Sequence, residues 1–403
     1  MSPSEPLPNA GLRAWAGNRR LLQALYILVA LLFSISLYLY LPTLHSYNEG
    51  KSGSLAIVGV VLAQYGLWQA LIRFPVGIAA GWLGRRKPFI LVGIALAGLG
   101  AWVMGSAQGT GGLVVGRAIT GLAAGTWVPL TVAFSSLFPP QQAIRASAIL
   151  TFVASAGRVV GTGVNGPLHE FGGYFLVFNG AVLVAVLSLF MALPIREKGH
   201  PSRRLSPRSV GKIITRRDVL VPSMLSALLH YVDWGFTYGF IPILAGNLGA
   251  SSVTVSLLVS THLALITVMS LVTAAIAERV GARRLASVAF LLQSAGIGLA
   301  AVAPSLALIF AAQVALGVAQ GLGYSVLMGL SIRDVDDRDR TTAMGLHQSV
   351  YALGMFAGPW LSGILADALG LRPMFGVSAA AWLVVPPVLI RLLPPHRREL
   401  PPG

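Results

Sequence analysis

The chain has 403 residues, of which 55% are hydrophobic and 10% charged, with a mean hydropathy of +0.75. A soluble globular protein carries about 25% charged residues, so this composition excludes a water-soluble domain and requires lipid to cover the apolar surplus. The net charge of +16 and the lack of any cysteine leave a nucleic-acid binder to be weighed and exclude disulfides and thiolate metal sites.

Twelve apolar runs reach the roughly 20 residues that cross a bilayer: 21–43, 54–81, 88–106, 111–137, 145–167, 173–194, 219–244, 252–277, 285–303, 306–330, 341–366 and 373–393. None alternates with the two-residue period of a barrel strand. The fold class is therefore an all-α polytopic membrane protein with 12 transmembrane helices in two six-helix bundles. The segment 1–20 holds Pro3, Pro6 and Pro8 and no apolar core, so run 1 reads as an uncleaved first helix rather than a signal peptide.

In chain order, the first bundle (21–194) places Tyr38 and Tyr40 late in run 1, Arg73 in run 2, Arg117 and Trp127 in run 4 and Arg158 in run 5. A basic linker follows at 195–218. The second bundle (219–393) places His230, Asp233, Trp234 and Tyr238 in run 7, His262 in run 8 and Tyr324 in run 10; a tail, 394–403, ends the chain. Basic residues outside the runs fall almost wholly on one side. The N-terminal segment, the loops after runs 2, 4, 8 and 10, the linker and the tail all carry them, against Lys51 and Arg372 alone on the other side. That asymmetry is the positive-inside pattern. It puts both termini in the cytoplasm of a cell membrane and assigns the basic excess to orientation and anionic lipid, not to nucleic acid.

The chain also repeats itself. A shift of 197 residues lays Gly84 on Gly281, Gly157 on Gly354, Gly161 on Gly358, Gly166 on Gly363 and Glu170 on Asp367. Two matched halves joined by a linker suit a machine that rocks around a central site.

On these features the chain resembles the major facilitator superfamily over roughly residues 18 to 393. Gly77-x3-Gly81-Trp82-x-Gly84-Arg85-Arg86 is similar to the family loop motif Gly-x3-Asp-Arg-x-Gly-Arg-Arg. The second half keeps Glu278 and Arg279 ahead of Gly281 and Arg283, whereas Gly81 and Trp82 replace the acid and base in the first. Arg117-x3-Gly121 resembles the helix-4 signature of proton-coupled members, and Gly354-x3-Gly358-Pro359 a helix-11 pattern. Thr162 stands where the antiporter signature has proline, and helix 1 lacks the acid of multidrug antiporters. The resemblance implies that helices 1, 2, 4, 5, 7, 8, 10 and 11 line a cavity. It also implies gating roles for Gly77, Gly84, Arg85, Arg86, Glu278, Arg279, Gly281, Arg283, Gly354, Gly358 and Pro359.

Charges inside a bilayer are costly and normally face a partner or a wet cavity. At ~1.5 Å per residue, Arg117, Arg158 and Asp233 share one level and Arg73 lies nearer the cytoplasm. A lone carboxylate pulled toward protonation by burial and toward ionisation by arginines makes Asp233 a proton carrier, with His230 and Arg117 assisting; a fixed ion pair between the halves is the other reading. Arg158, Arg73, His262, Tyr40, Trp127, Trp234, Tyr238 and Tyr324 are the candidate substrate contacts, with snorkelling open for Arg73 and packing open for the aromatics. No nucleotide loop and no metal-ligand pattern is present, so no cofactor is expected beyond a proton gradient. The reading is a monomeric secondary transporter exporting a small organic solute by proton antiport. Its alternative is uncoupled or symport uptake of an anionic or zwitterionic metabolite. A lipid-modifying enzyme using His230, Asp233 and His262 lacks a nucleophile–base pairing.

Overall fold

In lipid every backbone N–H and C=O must be satisfied within the protein, which favours helices for apolar runs of this length. The computed structural model bears this out. It describes residues 9–139, 142–195, 197, 211, 213–336 and 340–393; the rest of the linker 195–218, residues 1–8 and the tail 394–403 lie outside them. The first half comprises α1 (Asn9–Tyr38), α2 (Leu41–Ser52), α3 (Leu55–Leu83), α4 (Lys87–Gly105), α5 (Thr110–Gly125), α6 (Trp127–Ser135) and α7 (Ala143–Ala192). The second comprises α8 (Arg217–Val232), a π-helical segment (Asp233–Phe240), α9 (Ile241–Asn247), α10 (Ser252–Val280), α11 (Ala282–Val302), α12 (Leu306–Arg333), α13 (Arg340–Leu369) and α14 (Leu371–Arg391). No strand occurs among the described residues.

Among the described residues, eleven helical stretches are long and apolar enough to cross a membrane. One of them, α7, has 50 residues, about 75 Å at 1.5 Å per residue and far more than one crossing needs. It breaks at Gly172 (φ −144°, ψ 19°) and Gly173 (φ 62°, ψ −161°), a left-handed φ that glycine tolerates. Its two limbs correspond to runs 5 and 6, and counting them separately gives twelve.

Three spans are interrupted. A turn at Leu39–Tyr40 separates α1 from α2, Thr126 separates α5 from α6, and the π-helical segment separates α8 from α9. The first and third breaks correspond under the repeat, so the opening span of each half departs from the α-helix at one level. Matched interruptions of this kind are the backbone signature of a binding site between two repeats.

The repeat glycines serve matched contacts. A methyl added at Gly157 would meet Leu31 O at 2.7 Å and one at Gly161 would meet Ile35 O at 2.9 Å, fixing α7 against α1. Their counterparts Gly354 and Gly358 would meet Ala227 O at 1.9 Å and Tyr231 O at 2.2 Å, fixing α13 against α8. Between halves, Gly59 packs on Pro359 O and Gly66 on Met355, joining α3 to α13, while Gly166 packs on Val253, joining α7 to α10. Close backbone approach through small residues is how helices associate where lipid offers no hydrophobic drive. Large apolar side chains turn outward on α4 (Leu99, Trp102), the second limb of α7 (Leu187, Phe190), α11 (Leu291, Val302) and α14 (Leu383, Val384); these are runs 3, 6, 9 and 12.

Candidate functional site

The interrupted spans converge on a buried polar and aromatic cluster between the halves. From α10, His262 reaches the start of the π-helical segment, where its Nε2 lies 2.6 Å from Asp233 Oδ1. Both side chains are buried, and the Tyr238 ring stands edge-on to His262 at 5.7 Å. Sequence alone set Asp233 opposite the arginines and gave His262 to substrate. In the structure these two residues pair with each other.

The arginines sit against rings. Arg117 on α5 is 1% exposed, lies 4.4 Å from the Tyr65 ring centroid and 5.6 Å from that of Trp234, and none of its three guanidinium nitrogens has a hydrogen-bond partner. Arg158 on α7 is half-buried and lies 5.3 Å from the Tyr38 ring, within electrostatic range of Tyr65, Tyr238 and Tyr324. Trp234 connects the two groups: it stacks on Tyr65 at 4.6 Å and meets Tyr38 and Tyr238 edge-on. Tyr40 is fully buried against Phe178, and its hydroxyl faces Arg117 and Thr120 without closing a hydrogen bond.

A second cluster lies beside the first. Arg73 on α3 donates from Nη1 to the Tyr351 hydroxyl on α13 at 2.7 Å, crossing between the halves. The Tyr351 ring stacks on His230 at 4.3 Å, and Tyr324 meets both edge-on. His230 Nδ1 bonds Ser226 O at 2.8 Å. Trp127 is partly buried against an apolar cluster drawn from both halves, with no aromatic partner among the described residues.

Tyr65 and Tyr351 are site residues that sequence reading passed over. Tyr65 lies eight positions before Arg73, and Tyr351 four positions after His347, so each shares a helix face with a polar residue.

The face remote from Arg19 and Leu393 is closed by contacts between the halves. Asp367 Oδ1 accepts from Leu55 N at 3.0 Å and Ser54 Oγ at 3.2 Å, and Glu170 Oε1 accepts from Val253 N at 3.5 Å. Below these, Ser256 Oγ donates to Asn165 Oδ1 and Thr162 Oγ1 bonds Ser260 Oγ at 2.8 Å. Thr162, where the antiporter signature has proline, is thus a contact between halves.

The loop residues near the opposite face cap helices. Gly84 (φ 62°) and Gly281 (φ 88°) take the left-handed turns that end α3 and α10. Glu197 accepts from Arg86 N and Lys87 N at the start of α4, and Arg283 donates to Arg391 O and Leu393 O at the end of α14. Such contacts satisfy helix-terminal groups and complement the helix dipole. Arg85, Glu278 and Arg279 are exposed. Gly77 has room, its nearest neighbour being Val128 at 3.8 Å from an added methyl. A groove of about 250 Å³ between α4 and the second limb of α7 is lined by Ile94, Gly98, Trp102, Val182, Ala185 and Leu189; it is apolar and outward-facing, a lipid contact rather than the site.

A sequence model of the Major Facilitator Superfamily matches residues 26–223 and again 223–403. The chain belongs to the Major Facilitator Superfamily. Like other members of this superfamily it is a multi-pass membrane transporter of small molecules and not an enzyme, and the family generally works without a cofactor. An uncharacterised MFS-type transporter of Methanocaldococcus jannaschii is 20% identical over 354 residues, covering 85% of this chain and 91% of the relative. Among solved structures, a single-residue mutant of the nucleoside transporter NupG superposes with a TM-score of 0.78 at 14% identity, over 93% of this chain and 100% of that one. A bacterial homologue of the human lysosomal transporter Spinster, inward-facing and unoccupied, gives 0.73 at 17% identity over 93% and 91%. At these identities the two structures share the superfamily fold with this chain.

Proposed function

We propose that the protein is a proton-coupled exporter of a small organic solute, exchanging substrate for protons by alternating access. Two six-helix bodies, 21–194 and 219–393, rock about the cluster that contains Asp233, Arg117 and Arg158. The observation that carries the reading is the buried Asp233–His262 contact of 2.6 Å between the π-helical segment and α10. One proton held between carboxylate and imidazole keeps the two groups together. A second proton leaves a neutral acid facing an imidazolium and weakens that contact, so proton occupancy is tied to the geometry of the seventh and eighth spans. His230, stacked on Tyr351, lies one turn before Asp233 and offers a second proton position. The basic loops support cytoplasmic termini in a cell membrane, and the family supports a monomer. Efflux rather than uptake follows the overall resemblance and the glycine-rich fifth and eleventh spans.

The test is a substrate screen in proteoliposomes under an imposed pH gradient, with wild type and Asp233→Asn side by side. Gradient-driven accumulation in wild type and its loss in the variant support coupling; equal accumulation in both rejects it. The second reading, uncoupled or symport uptake of an anionic or zwitterionic metabolite, is favoured by three intramembrane arginines against one aspartate. Its uncoupled form predicts flux in wild type and Asp233→Asn alike, with no dependence on the gradient.

A further inference from the structure

The charges within the membrane do not balance. Arg73 hydrogen-bonds the Tyr351 hydroxyl, and the Asp233 carboxylate is engaged by His262. Arg117 and Arg158 are left without an acid: the ion pairs among the described residues are Arg216–Asp218, His262–Asp233 and Arg333–Asp334. Arg117 is 1% exposed with three guanidinium nitrogens lacking hydrogen-bond partners, a costly state for a buried cation. Arg158 is only half-buried.

Between these two cations run three rings. Arg158 lies over Tyr38, Tyr38 meets Trp234 edge-on at 6.4 Å, Trp234 stacks on Tyr65 at 4.6 Å with planes 18° apart, and Tyr65 lies under Arg117. Five elements from both halves contribute: α7, α1, the π-helical segment, α3 and α5. A saturated solute would gain little from such a shelf, whereas a flat π-system stacks on it. An organic cation would meet the rings but also two uncompensated guanidinium groups.

We propose that the transported solutes are planar aromatic carboxylates. The carboxylate is received by the fork of Arg158, and the aromatic body lies against Tyr38 and Trp234. Arg117, behind Tyr65, keeps the potential of the seat positive. Guanidinium matches carboxylate with two parallel hydrogen bonds, which an ammonium does not reproduce. This assignment rests on the transport reading above, since it names what that site carries.

The test is calorimetric titration of the full chain in lipid nanodiscs, without any gradient, using 2-naphthoate, its fully saturated decahydro analogue and 2-naphthylmethylamine. The expected result is binding of 2-naphthoate about tenfold or more tighter than the saturated acid, with no binding of the amine. Arg158→Ala weakens 2-naphthoate by about tenfold or more, and Arg158→Lys, which keeps the charge and loses the fork, falls between. Trp234→Leu narrows the gap between the aromatic and the saturated acid. The proposal is overturned if the amine binds as well as 2-naphthoate, if none of the three ligands binds, or if Arg158→Ala and Arg158→Lys keep full affinity. Binding is read here without protons moving. A failure therefore leaves gradient-driven flux of another solute standing, whereas loss of proton dependence with intact naphthoate binding removes the coupling alone.

Discussion

Glu170 and Asp367, 197 positions apart, hold the same post in the two halves. Each accepts from a backbone N–H in the first turn of a helix belonging to the other half, Glu170 at Val253 of α10 and Asp367 at Leu55 of α3. Both helices also begin with a serine cap, Ser251 and Ser54. The carboxylates thus complement the positive ends of two helix dipoles across the closed face.

Neutralising both, as Glu170→Gln with Asp367→Asn, weakens closure of that face. Each charge at a helix N-terminus is worth about 0.3–1 kcal/mol, so the pair shifts the closed–open balance roughly 3- to 30-fold. The chain has no cysteine, so a single Ser256→Cys reports opening by its maleimide-labelling rate. Faster labelling in the double variant is expected; an unchanged rate would falsify the latch.

Gly354→Ala and Gly358→Ala drive a methyl to within 1.9 and 2.2 Å of carbonyl oxygens on α8. Each should cost about 1–3 kcal/mol by overpacking, read as a lower thermal unfolding midpoint in detergent. Gly246→Ala, with nothing within 4 Å of the added methyl, serves as the comparison and should leave the midpoint nearly unchanged.

Tyr351→Phe keeps the ring stacked on His230 and removes the acceptor for Arg73. A hydrogen bond to a charged group contributes about 1.5–3 kcal/mol. A double-mutant cycle with Arg73→Met measures the coupling between the two positions; strict additivity in thermal unfolding would show that the 2.7 Å contact contributes nothing.

His262→Ala leaves the Asp233 carboxyl buried without its hydrogen-bond partner, a change that costs about 1–3 kcal/mol. Adding Asp233→Asn should cost less in the His262→Ala background than in wild type, because the 2.6 Å contact is already gone. If Asp233→Asn lowers the thermal unfolding midpoint equally in both backgrounds, the two residues do not act as a pair.

Much of this architecture is written locally. Apolar run length gives the spans, the 197-residue shift gives the paired glycines, and an arginine in an apolar run marks its helix as one that faces the interior. The repeat even paired Glu170 with Asp367, although not their helix-capping role, because a carboxylate at a helix end does not specify which backbone it will meet. The partner of Asp233 was not legible either: His262 is 29 residues away on another helix, and spacing within one helix says nothing about contacts between two. The π-helical segment is equally silent in Asp-Trp-Gly-Phe-Thr-Tyr-Gly-Phe, since packing decides whether a turn takes an extra residue. Tyr65 went unnoticed because a tyrosine in an apolar run is ordinarily packing, and only the neighbouring cation gives it another meaning.

The extra residue at Asp233–Phe240 is taken up within the wide turn, so the two arms of the seventh span keep nearly the phase that ordinary winding would give them. A slip of the bulge along the helix re-aims the residues it passes by about 100°; moved past His230 and Asp233, it carries them off Tyr351 and His262 with the chain intact. The seventh span is therefore built as a torsional element, in which a small backbone rearrangement re-aims two ionisable side chains at once.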